Sequence, residues 1–107
     1  MHSVQIAEPA ERDIRASHDW WCEHRSAQQA DRWYDNIYAA IGTLRSMPTR
    51  CPLAPESDLH PSGLRQLSFG IGKRPTHRII FTIEQDAVII LRVRHASQRD
   101  LTTDDLR

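Results

Sequence analysis

Three residues of this 107-residue chain could do chemistry together: Arg78, Arg94 and His95. All fall between Leu64 and Asp100, LRQLSFGIGKRPTHRIIFTIEQDAVIILRVRHASQRD, a stretch that reads as three successive strands. A guanidinium is a planar fork of N–H donors that matches phosphate and carboxylate geometry. Arg78 and Arg94, set on rigid strands, are therefore candidate donors for an anionic ligand. His95 closes the last strand, and an imidazole titrates near working pH, so it is the candidate general acid or base. A plainer account competes at each position. Arginines on an exposed sheet face solvate it or pair with a nearby carboxylate. His95 shares parity with Leu91 and Val93 and would then be a capping or half-buried side chain. Arg65, Arg92 and Arg99 extend the basic set. Arg65 shares parity with Leu67 and Phe69, which turns it toward the helix side or a sheet edge, where a helix carboxylate could pair with it.

The charge is polarised although the formal total is zero. Residues 64–100 hold seven of the fourteen Lys and Arg against three acidic residues, a balance of +4 that leaves −4 for the rest. Such a distribution bears on partners more than the total does. Thirteen of the fourteen basic residues are Arg, a bias that suits an anionic partner and that a GC-rich genome produces equally well. Two cysteines, Cys22 and Cys51, make no disulfide framework, and the six histidines have no zinc-ligand spacing, so neither metal nor cofactor is expected. Cys22, beside Trp20 and Trp21, reads as a packing residue. No apolar run approaches membrane length and the N-terminus has no signal-peptide core, so the expectation is a reduced cytosolic protein with no membrane partner.

The elements that must position the basic residues follow from the hydrophobic period. Ser3 to Ala7 alternates as a short strand. A helix runs from Pro9 to about His24, with Ala10, Ile14 and Trp21 on the buried stripe and Glu11, Arg12, Asp13, Arg15 and Asp19 facing water. Ser26 and Gln29 fit a capping box, followed by Ala30, Trp33, Ile37, Ile41 and Leu44 at helical spacing until Pro48 stops the helix near Met47. The short turn between makes a helix hairpin. Trp20 points away from Trp21 and is an exposed candidate for partner contact. Residues 48–63 hold four prolines and no period, and read as a loop that is either a flap or a mobile connection. Beyond it, Arg78–Ile83 and Val88–His95 form a hairpin, with Lys73 and Arg74 in the turn before it. Ile79, Phe81, Ile83, Ile89, Leu91 and Val93 are assigned to the helix-facing side. The other side, with Arg78, Arg92 and Arg94, is expected to be open. The order β-α-α-β-β-β gives an α+β domain over residues 1–107, an antiparallel three-strand run with the helices on one face of the sheet.

This ordered set resembles the RelE/ParE superfamily of toxins from type II toxin–antitoxin modules. The resemblance rests on the short strand, the helix hairpin ending in Leu44 and Pro48, Arg65 with Leu67, the run His77 to Ile83, and the run Ile90 to Asp100. It covers nearly the whole chain in the right order. It implies the microbial-RNase-like fold and neutralisation by a cognate antitoxin in a hetero-oligomer. It also implies one of two actions. RelE-like members cleave mRNA on the ribosome with basic residues of the open sheet face. ParE-like members share the fold, lack that catalytic set and poison DNA gyrase. By resemblance, Arg78 matches the arginine that opens the middle strand and holds the scissile phosphate in RelE-like members, Arg65 matches the arginine of the R-x-L motif, and Arg94 and His95 lie where the last strand's functional arginine or histidine sits. The departures favour the ParE-like branch. No tyrosine follows Tyr38, and the pair of lysines on the first of these strands is missing. Attack of a 2′-hydroxyl on phosphate needs a base, an acid and charge stabilisation. Beyond Arg78, Arg94 and His95 only Glu84, Asp86 or Asp100 could complete the set, and the first two lie at the far hairpin turn. Zero net charge also argues against a strong RNA binder. The expectation is a gyrase-directed toxin acting by protein contact. The alternatives are an mRNA endonuclease using Arg78, Arg94 and His95, or a diverged member that only binds antitoxin.

Overall fold

In the computed structural model, which describes residues 1–106, the chain folds as β1 (Ser3–Ile6), α1 (Glu8–His24), α2 (Ala27–Gly42), β2 (Arg65–Phe69), β3 (His77–Glu84) and β4 (Ala87–His95), with short 3-10 turns between and after. The strands form one sheet in the order β1-β4-β3-β2. The expected α+β class and element order hold. β2, β3 and β4 pair antiparallel, whereas β1 runs parallel to β4, so the sheet is mixed and its two longest strands are central.

Local chemistry explains the helices. α1 has Pro9 in its first turn, where a missing N–H costs nothing, and Glu8 and Glu11 complement the helix dipole there. At the start of α2 the Ser26 hydroxyl accepts the Gln29 N–H at 3.1 Å. Ala30, Trp33, Ile37 and Ile41 form one buried stripe, which Leu44 continues through the turn Thr43–Arg45. Together with Ala10 and Ile14, this stripe packs on Phe69, Ile79, Phe81, Val88, Ile90 and Val93 of the sheet. Complete burial of each large member contributes about 1.5–3 kcal/mol.

One face assignment changes. Ile80 lies opposite Arg92 and Phe81 opposite Ile90, so β4 carries a bulge at Leu91. The extra residue inverts parity, which puts Val88 and Ile90 rather than Ile89 and Leu91 against the helices, with Val93 restored to that side.

The face away from the helices is not open, which corrects the expectation of an exposed basic surface. Residues 48–63 are an ordered strap with turns at Pro48–Arg50 and Ser57–Leu59 and a bridge from Leu53 to Arg65. The strap and the C-terminal segment cover that side, where Ala54, Leu64, Ile80 and Leu101 form a second small core. The Thr82 hydroxyl donates to Gly63 O at 2.9 Å and pins the strap's end. Cys22 is exposed rather than packed, whereas Cys51 is buried.

Candidate functional site

β3 and β4 place Arg78 and Arg94 directly opposite each other on the strap side of the sheet. Two cations there need a counter-charge, and the strap brings one. Arg78 donates Nη1 and Nη2 to Glu56 Oε1 and Oε2 at 2.9 and 2.7 Å, and Nη1 also to Gln66 Oε1 at 2.8 Å. Glu56, only 5 % exposed, takes a further N–H from Leu101 at 3.0 Å. The Arg78 fork holds the Glu56 carboxyl down to about 2 despite a burial that would raise it, and Glu56 in turn raises Arg78. The geometry by which a guanidinium would hold a phosphate is already occupied by the chain's own carboxylate.

The other arginines are engaged too. Arg92 lies beside the bulge and reaches round the sheet edge to α1, where Nε and Nη2 donate to Asp13 at 2.7 and 2.9 Å. Asp13 also accepts the Val93 N–H at 2.9 Å. β1 ends opposite Ile90, so this carboxylate satisfies the strand edge that β1 leaves uncovered. Arg99 pairs with Asp105 at 2.8 Å, and Arg65 donates to the carbonyl of Cys51 at 2.7 Å, a backbone partner in place of the expected helix carboxylate. Arg94 is 6 % exposed. Its Nη2 donates to Arg99 O at 2.9 Å, its Nε is buried without a hydrogen-bond partner among the described residues, and burial together with neighbouring Arg92 lowers its pKa.

His95 follows Arg94 in the strand and turns to the opposite face, the helix side. It lies opposite His77, with ring centroids 5.2 Å apart, and its Nδ1 is 2.7 Å from Ser97 Oγ. Arg78 and Arg94 therefore share one face and His95 does not join them. Glu84 lies at the far hairpin turn with Asp86, opposite Ala87. Among the described residues no cluster of His, Cys, Asp and Glu could hold a metal, and no helix is long and apolar enough to cross a membrane.

Four residues that matter here carried no local signal: Glu56, Asp13, Asp105 and His77. His77 is nearly buried, and burial, then the adjacent His95, pushes its pKa down to about 4. The fold resists protonating His77 while the unfolded chain, with a histidine near 6.5, accepts the proton. Stability is thus full above pH 6.5 and falls as pH drops toward 4, by about 3 kcal/mol for this one group. Urea unfolding at pH 7, 5.5 and 4 will show that loss, and His77→Phe will flatten it.

A family model described as the ParE toxin of type II toxin–antitoxin system, parDE, matches residues 4–100. The chain belongs to that family. A solved structure, the chromosomal ParDE toxin–antitoxin system from P. aeruginosa, is similar with a TM-score of 0.70 and 19 % identity, covering 89 % of this chain and 96 % of that one. At that identity the likeness speaks for the fold alone. A copper-bound mutant toxin from Helicobacter pylori aligns at a TM-score of 0.45 and 17 % identity, covering 91 % of this chain and 97 % of the other. A search of curated proteins gives no match. As a ParE-family toxin, the chain uses its strand arginines first to hold its own strap and edge in place.

Proposed function

We propose that this chain is the growth-inhibiting half of a toxin–antitoxin pair, that it acts by protein contact on DNA gyrase, and that a cognate antitoxin neutralises it. The observation that carries the mode of action is the closure of Arg78 on Glu56: the donor best placed to hold a scissile phosphate is filled from within. Arg94 and His95 on opposite faces support the same reading, since base, acid and phosphate donor would have to converge on one atom. Of the six candidate residues, Arg99, paired with Asp105, and His95 are exposed to a protein target, while Arg65, Arg78, Arg92 and Arg94 shape the backbone beneath. The choice of gyrase rests on the family resemblance.

The test is induction in cells, following transcript integrity and DNA breaks together. Double-strand breaks with intact mRNA are expected, and the His95→Ala variant will leave transcripts equally intact. Rapid site-specific transcript cleavage that His95→Ala abolishes would replace this reading with a nuclease. Absence of any growth defect would leave only antitoxin binding.

A further inference from the structure

The last turns of α1 overhang the ends of β3 and β4 and enclose a groove of about 460 Å³, on the opposite side of the sheet from the strap. Trp20, Trp21, Arg25, Thr76, His77 and His95 line it, and among the described residues no carboxylate does. We propose that this groove receives a large apolar side chain flanked by a carboxylate, presented by the antitoxin; the inference rests on the toxin–antitoxin reading above.

Three features select that occupant. The first is a rigid aromatic wall. Trp20 is 47 % exposed, yet it is held by stacking on His24 at 4.6 Å and 13° and by an edge contact with Trp21 at 5.8 Å. An exposed indole already fixed in place loses little freedom on docking, and such side chains dominate binding energy at interfaces. The second is a polar contact point in the wall. His77 is 8 % exposed, its Nδ1 is engaged with the Thr76 hydroxyl at 2.8 Å, and its Nε2 has no hydrogen-bond partner among the described residues. A ligand atom can use that nitrogen. The third is charge: Arg25 sets a cationic edge on an apolar groove, which favours an anionic neighbour to the inserted group. The volume takes one or two side chains, which fits anchoring of a single segment better than the broad face of a folded target.

The experiment uses the full chain and, as probe, the product of a short reading frame neighbouring its gene. Affinities are measured by calorimetry for wild type, Trp20→Ala, Arg25→Glu and the groove-filling Ala16→Trp, with thermal melts to confirm folding. Each variant is expected to bind at least tenfold more weakly while still arresting growth, and co-expression of the probe should no longer rescue the cells. Wild-type affinity in the folded variants would overturn the groove as the docking site. Lost growth arrest with intact binding would also overturn it and assign the groove to the target. A wild-type chain that arrests growth but does not bind the probe, or binds it without arresting growth, would remove the toxin–antitoxin reading itself and the inference with it.

Discussion

Glu56→Ala will destabilise the fold by about 3–5 kcal/mol, the range for breaking a buried ion pair by removing one partner. The change leaves the Arg78 guanidinium beside Arg94 with only the more distant charge of Asp100 and frees the Leu101 N–H that ties down the C-terminal segment. In a domain of this size the melting temperature will fall by on the order of 10–20 °C. Glu56→Gln keeps the shape and an acceptor oxygen but not the charge, and will lose less. The double variant Glu56→Leu, Arg78→Met will recover much of the loss, because neither charge is then left buried alone. Acid offers an independent check. The carboxyl lies near 2 in the fold and near 4.5 when unfolded, so its contribution is full above about pH 4.5 and disappears as pH falls toward 2. Chemical unfolding across that range will show the limb in wild type and its absence in Glu56→Gln. If Glu56→Ala melts within a few degrees of wild type, the strap is held by its apolar contacts with Ile80 and not by the clamp.

The elements were legible because each satisfies a local rule. Proline and glutamates open α1, Ser26 caps α2, and alternation marks the strands. What was not legible depends on contacts far apart in sequence. Glu56 and Arg78 are 22 residues apart, and Asp13 and Arg92 are 79 apart, so no periodicity could pair them. Asp13 read as a solvated residue on the polar face of α1 because a helical wheel does not show a sheet edge. The covered second face did leave a signal. Ile79, Ile80 and Phe81 run on without a polar interruption, as do Val88 to Leu91, and such runs mark strands buried on both sides. A one-residue bulge then exchanged Ile89 and Leu91 for Val88 and Ile90 in the core, because strand parity is binary and a single insertion reverses it.

The same contacts change how the arginines should be tested. An alanine at Arg78 strands a carboxylate as surely as an alanine at Glu56 strands a cation, and one at Arg92 leaves Asp13 only the Val93 N–H. Loss of toxicity in such variants would report a shortage of folded protein, since a few kcal/mol changes abundance several-fold. Growth assays on the arginine-bearing strands become interpretable only beside a measured melting temperature.

Asp13→Ala, finally, will cost about 1.5–3 kcal/mol, the range for hydrogen bonds to a charged group, and through a different element; Arg92 keeps Asp105 beside it, at 4.0 Å. Its carboxylate serves two groups at once, the Arg92 guanidinium and the Val93 N–H. Both lie where β4 runs on past the end of β1, so the side chain replaces the neighbouring strand that the sheet lacks there. Asp13→Asn keeps one oxygen for the Val93 N–H and should fall between Ala and wild type. Arg92→Met alone removes the cation but leaves the Val93 bond, so it will lose less than Asp13→Ala. A double-mutant cycle between Asp13→Ala and Arg92→Met measures their coupling, expected at about 0.5–3 kcal/mol for residues that share one hydrogen-bonded network. Hydrogen exchange at the Val93 amide separates the two roles. Protection lost in Asp13→Ala and kept in Arg92→Met places the carboxylate on the strand edge. Equal protection in both would reduce Asp13 to a counter-ion.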